Sequence, residues 1–144
     1  MKKTIIAAAF TLLAFNGAYA GPAGKVAAKA REVSILAAEG KKNPLPDGGW
    51  FTWQFDKKPK LGTLIVKVQA FKKDETRNTA LEITGETGMP DMRAHDSGRV
   101  KFVKNKKGDY LLPFDVAMPG DWQVLIRVKQ GKKEIYAGKI LFNI

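Results

Sequence analysis

The chain has 144 residues and a formal net charge of +11, from 25 Lys and Arg against 14 Asp and Glu. Its length suits one domain that buries roughly 65% of its unfolded surface. It contains no cysteine, which excludes disulfides, thiolate zinc sites, iron–sulfur clusters and cysteine nucleophiles together.

Lys2 and Lys3 precede a short apolar run from Ile5 to Phe15, and Ala18-Tyr19-Ala20 has the small-x-small pattern of a cleavage site. Residues 1–20 are therefore expected to be a signal peptide, with the product starting at Gly21. The run falls short of the about 20 residues that a spanning helix needs, and no other stretch qualifies. The expected product is a soluble exported protein, periplasmic, with 23 cations against 14 acids and a charge of about +9. In a cytosolic protein that balance points to nucleic acid. Export redirects it towards anionic lipid or an acidic partner.

Residues 21–49 read as a lead-in and linker. Val26, Ala30, Val33 and Ala37 recur at helical spacing, with Lys25, Lys29, Arg31, Glu32 and Glu39 on the polar side. A short helix or partly ordered segment fits 22–40. Asn43-Pro44-Leu45-Pro46-Asp47-Gly48-Gly49 then breaks regular structure.

From residue 50 the pattern changes to alternation. Leu64, Val66, Val68 and Ala70 form one face, and Tyr110, Leu112, Phe114 and Val116 another. Trp122, Val124, Ile126 and Val128 form a third, and Ile140, Phe142 and Ile144 a fourth. Period-2 alternation of this extent means half-buried antiparallel strands. Strands are expected at 50–56, 61–71, 79–85, 99–104, 109–116, 121–130 and 134–143. Turn signals such as Asn105-Lys106-Lys107-Gly108 and Pro119-Gly120-Asp121 separate them. The expected fold class is all-β, a seven-stranded immunoglobulin-like β-sandwich over residues 50–144. In that topology the loops after the first, third and fifth strands share one end. Lys72, Lys73, Arg77, Lys106, Lys107, Lys132 and Lys133 collect at the other, although Lys57, Lys58 and Lys60 fall at the first.

All methionines beyond Met1, and the only histidine, lie between residues 89 and 118 in turn-like sequence. They read Met89-Pro90-Asp91-Met92-Arg93-Ala94-His95 and Met118-Pro119-Gly120. Methionine ordinarily fills gaps in apolar cores. Beside Pro, Gly and Asp, three thioethers and one imidazole instead offer a soft, low-coordinate site for Cu(I). Hard ions would want oxygens, which only Asp91 and Asp96 supply. The competing reading makes Met89 and Met118 hydrophobic plugs over the open end of the sandwich, with His95 bonded to a loop carbonyl.

Other constellations carry less. Trp50 and Trp53, with Phe51 and Phe55, can place an indole over a cation, yet they fit strand core and edge cover better. Trp122 reads as core. Ser97 is two residues from His95, too close for the geometry of a nucleophile and its base. Asp91 and Asp96 lie near Arg93 and Arg99 and read as solvated or paired. No glycine-rich phosphate loop is present, so no enzyme is expected.

The run Leu81-Glu82-Ile83-Thr84, then Gly88-Met89-Pro90-Asp91-Met92, Ala94-His95, Gly108-Asp109-Tyr110 and Met118-Pro119-Gly120-Asp121-Trp122 resembles the YtkA-like domain family. These are small exported immunoglobulin-like domains. The resemblance covers roughly residues 50–144 and implies Met89, Met92, His95 and Met118 as the functional positions. Related domains occur beside copper-handling and cation-efflux components. Arg93-Ala94 stands where members often carry a third methionine, and a cation there repels a bound metal.

The expectation is thus a Cu(I)-binding chaperone or buffer serving an envelope partner, an efflux or respiratory-oxidase component. Acidification through the ordinary imidazole value of about 6.5 then removes one ligand and leaves the sulfurs. The alternative is a metal-free immunoglobulin-like accessory that contacts an envelope protein through its basic loops or a strand edge.

Overall fold

A computed structural model describes residues 33–92 and 96–144. Within them every regular element is a β-strand. In chain order these are β1 (Ser34–Ile35), β2 (Asn43–Pro44), β3 (Trp50–Phe55), β4 (Gly62–Phe71) and β5 (Glu82–Gly88). There follow β6 (Val100–Lys101), β7 (Val103–Lys104), β8 (Tyr110–Val116), β9 (Asp121–Gln130) and β10 (Lys133–Asn143). They form two five-stranded sheets, ordered β1-β10-β9-β5-β6 and β2-β3-β4-β8-β7. All neighbours are antiparallel except β1, which runs parallel to β10.

Alternation explains why the sheets face each other. Leu64, Val66 and Val68 of β4 and Leu112 of β8 have almost no exposed surface, and neither do Val124, Ile126 and Val128 of β9. Their strand neighbours point outward and are partly or fully exposed. The inward sets form one continuous apolar core. A one-residue slip would turn each set to water, so the register is firmly specified. This is a sandwich-like all-β fold.

Three elements depart from the expectation. The helix expected over 22–40 falls largely outside the described residues, but from 33 onward the chain is extended and docked. Leu36 and Leu45 are buried in the core. The Trp53 indole N–H donates to the Ala37 carbonyl at 2.8 Å, the Phe55 amide to Glu39 at 2.7 Å, and the Ala37 amide to the buried Asn43 side chain at 2.9 Å. Residues 33–49 are thus part of the sheet structure rather than a linker, and Asn43–Pro44 pairs with β3 instead of breaking structure.

The strand expected at 79–85 runs from Glu82 to Gly88. Its inward positions are Ile83, Gly85 and Thr87, opposite Val128, Ile126 and Val124, so its core face does not read as apolar. Gly85 is required by space: a β-carbon there would lie 2.5 Å from Leu112 Cδ2 and 2.9 Å from Phe102 Cε1. The expected strand 99–104 is two short ones. β6 pairs with β5 in the first sheet and β7 with β8 in the second. Buried Phe102 marks the crossing, its amide still donating to Ile83 at 2.9 Å.

Candidate functional site

β5 ends with Gly88 opposite Gln123, near the start of β9, and β4 begins with Gly62 opposite Val116, the end of β8. The segments 56–61, 89–92, 96–99 and 117–120 therefore gather at one end of the sandwich. The segments 72–81, 105–109 and 131–132 gather at the other.

At the first end, Met89-Pro90-Asp91-Met92 makes a tight turn. The Met92 amide donates to the Met89 carbonyl at 3.0 Å, and the two residues form an antiparallel bridge. Proline at the second position presets the backbone such a turn needs. Met89 is half-buried against the core, whereas Met92 is 42% exposed. Arg93, Ala94 and His95 lie outside the described residues. The chain rejoins β5 at Ser97, whose amide donates to Thr87 O at 2.8 Å and whose hydroxyl accepts from Thr87 N at 3.0 Å. The Ser97 hydroxyl also donates to Gly98 O, so it acts as a backbone clasp. Asp96 accepts from the Gly98 amide at 3.0 Å.

The second methionine segment is pinned from below. Buried Trp122 donates its indole N–H to the Met118 carbonyl at 3.0 Å. Gly120 exchanges backbone hydrogen bonds with Ile144 and takes φ 135°, a conformation open to glycine and rarely to other residues. Met118 packs half-buried on the core. The two segments meet: a β-carbon on Gly120 would lie 2.7 Å from the Met89 methyl carbon. Met89 and the Met118-Pro119-Gly120 turn, distant in sequence, thus share one surface.

Two clefts flank Met89-Pro90-Asp91. One, of about 370 Å³, is lined by Glu86, Met89, Asp96 and Gln123 among others. The other, of about 390 Å³, takes in Asp91, Trp122 and the exposed Leu141. Glu86 is paired with Arg99 at 3.3 Å. Among the described residues no three His, Cys, Asp or Glu side chains cluster. What this end offers a soft ion is thioether sulfur, with Asp91 and Asp96 near by.

The opposite end holds a polar network that the sequence did not reveal. Asp109 is buried, and its carboxylate accepts from Arg77 at 2.8 Å, Gln69 at 3.1 Å and Asn105 at 3.4 Å. Burial pushes its pKa up, but the hydrogen bonds from Arg77, Gln69 and Asn105 outweigh it and hold the carboxyl below its ordinary value. Tyr110, beside it, is pushed up by burial and donates to the Leu81 carbonyl at 2.9 Å. Lys104 donates to Thr79 O at 2.6 Å. These bonds tie 77–81 to 104–110, so part of the basic character here is structural. Trp53 and Trp122 are core, as read from the pattern. Trp50 is on the outer face, with the Lys42 ammonium 4.2 Å from its ring, so the cation over an indole is a lysine.

Fold and site together define an all-β, sandwich-like protein with methionine turns assembled at one end. No protein-family model matches the chain, and neither a curated protein nor a solved structure matches it.

Proposed function

We propose that the chain is an exported, periplasmic Cu(I)-binding module of YtkA-like type, a chaperone or buffer for an efflux or respiratory-oxidase component. Met89, Met92 and Met118 supply thioethers and His95 an imidazole. The observation that carries the reading is the meeting of Met89 with the Met118-Pro119-Gly120 turn. Exposed Met92 is the sulfur that incoming metal reaches first. Thioethers bind without losing a proton, so acidification weakens the site only through His95.

The same reading takes the sandwich as immunoglobulin-like. Its support is the strand order. β3-β4-β8-β7 against β10-β9-β5-β6 follows the arrangement of such domains, with β6–β7 as the segment that switches sheets. The test is an anaerobic Cu(I) competition titration of the wild type and a Met92→Leu, His95→Ala double variant. Equal affinity for the two would sink the metal reading.

A second reading is favoured by one observation: Met89 and Met118 both pack on the core, as plugs would. On it the protein is a metal-free accessory docking an envelope partner. Met89→Leu and Met118→Leu then cost under about 1.5 kcal/mol and leave partner capture intact. Reversal of Lys106, Lys107, Lys132 and Lys133 to Glu abolishes it.

A further inference from the structure

The outer face of the second sheet carries a feature separate from the methionine end. Trp50 on β3 stands opposite Phe71 on β4, their rings stacked with centroids 4.1 Å apart and planes inclined by 18°. The Lys42 ammonium lies 4.2 Å from the Trp50 ring, and the Arg77 guanidinium carbon 5.1 Å from that of Phe71. The four side chains make one row, cation–ring–ring–cation, at the end of the sheet.

The next rows are polar. Thr52 stands opposite Gln69, and Gln54 opposite Lys67. Rings and amides together border an open groove of about 300 Å³, lined by Lys42, Trp50, Thr52, Gln54, Gln69 and Phe71 together with Gly40. Among the described residues no carboxylate lines it. Asp109, which Gln69 contacts, is buried and engaged by Arg77 and Gln69. Lys42 in the lining and Lys67, opposite the lining residue Gln54, give the groove a positive bias.

Each component has a matching chemistry. An aromatic face carries a negative quadrupole that attracts cations and polarised C–H bonds, and the C–H face of a pyranose ring presents such bonds. Planar amides both donate and accept, and Gln54 and Gln69, diagonal across the β3–β4 pair and roughly 7–8 Å apart, can reach separate hydroxyls of one sugar. The lysines complement negative charge. Lys42 sits over the indole through an exposed and therefore weak contact, so a ring-shaped ligand can displace its ammonium and pair with it.

We infer that this groove binds an acidic carbohydrate, with a sugar ring against Trp50, hydroxyls on Gln54 and Gln69, and its anionic group on Lys42 or Lys67. Carboxylate-bearing and sulfate- or phosphate-bearing sugars share that chemistry.

The experiment titrates the full chain, followed by tryptophan fluorescence and calorimetry, with four probes: an oligogalacturonate, a sulfated dextran oligomer, neutral maltohexaose and poly-glutamate. One of the two acidic sugars is expected to bind, and which one identifies the anionic group. Maltohexaose and poly-glutamate should each bind on the order of tenfold more weakly than that sugar. Trp50→Leu should weaken the acidic sugar roughly tenfold. Gln54→Ala, at an exposed position away from the ring stack, should weaken it about threefold with an unchanged melting temperature, which separates ligand contact from folding. Poly-glutamate binding as tightly as the sugar would reduce the groove to a patch of charge. Absence of binding by both acidic sugars, or unchanged affinity in Gln54→Ala and Lys42→Ala, would also overturn the inference.

Discussion

The junction of Met89 with Gly120 carries the functional reading and can be tested by a double-mutant cycle. Gly120 has φ 135°, and a β-carbon there would lie 2.7 Å from the Met89 methyl carbon. Gly120→Ala therefore incurs two separable costs. Backbone strain in such a conformation is on the order of 1–3 kcal/mol. The steric part is smaller, because the obstructing atom is the free end of an unbranched side chain. Met89 must swing aside and lose core contact worth about 0.8 kcal/mol per exposed methyl or methylene group. The single variant should thus lose about 2–3 kcal/mol in total. In a Met89→Ala background the strain persists but nothing remains to collide with. The two substitutions should then couple by ~0.5–1 kcal/mol. Urea unfolding read by tryptophan fluorescence measures this, provided each variant unfolds in a single two-state transition. Buried Trp122, bonded to the Met118 carbonyl, reports on the same corner. Additivity within about 0.3 kcal/mol would refute the reasoning. It would mean that the Met89 methyl does not rest on Gly120 and that the two methionine segments do not share a surface.

Leu36→Ala should cost about 2–4 kcal/mol by opening a cavity under the docked N-terminal segment, and exchange of the Trp53 indole proton should accelerate as its bond to Ala37 loosens. Gly85→Ala should lower the melting temperature by roughly 5–15 °C, through overpacking worth about 1–3 kcal/mol against Leu112 and Phe102. Asp109→Asn bears on pH. Because the folded Asp109 carboxyl is held below its ordinary value, its contribution is present above about pH 4 and lost as pH falls through the depressed folded value. The wild type should therefore lose stability on acidification below about pH 4 more steeply than Asp109→Asn does. At neutral pH the substitution should cost about 1–2 kcal/mol, since Arg77, a third exposed, is partly screened by water. Chemical unfolding at a series of pH values checks both limbs.

Much of the sheet structure was legible because it is written at the spacing of neighbouring residues. β4, β8 and β9 alternate cleanly, and Pro119-Gly120 and Asn105 to Gly108 punctuate them, so their existence and inward faces follow from side-chain period alone. The concentration of Met89, Met92, His95 and Met118 in turn-like sequence is equally local, as is the all-β class. β5 was displaced by three residues for a reason that is not local. Its inward Gly85 and Thr87 look like neither core nor alternation until Leu112 and Phe102 are seen to fill the space above Gly85.

Four matters were left to the tertiary structure. The strand at 99–104 is extended throughout, but its division between two sheets depends on which backbone each half meets, and Phe102 alone does not encode that. Residues 33–49 have weak patterning, and they are held by the pairing of β1 with the distant β10, by buried Leu36 and by the Trp53 indole bonded to Ala37. The Lys42–Trp50–Phe71–Arg77 row and the Asp109 network exist only because cross-strand register places those residues opposite one another. The meeting of Met89 with Gly120 likewise requires both sheets to be assembled. Local sequence determines where the backbone extends, turns and hides its apolar side, because those preferences act over two to four residues. Which distant side chains meet is decided by long-range pairing, whose energy appears only once the core has closed.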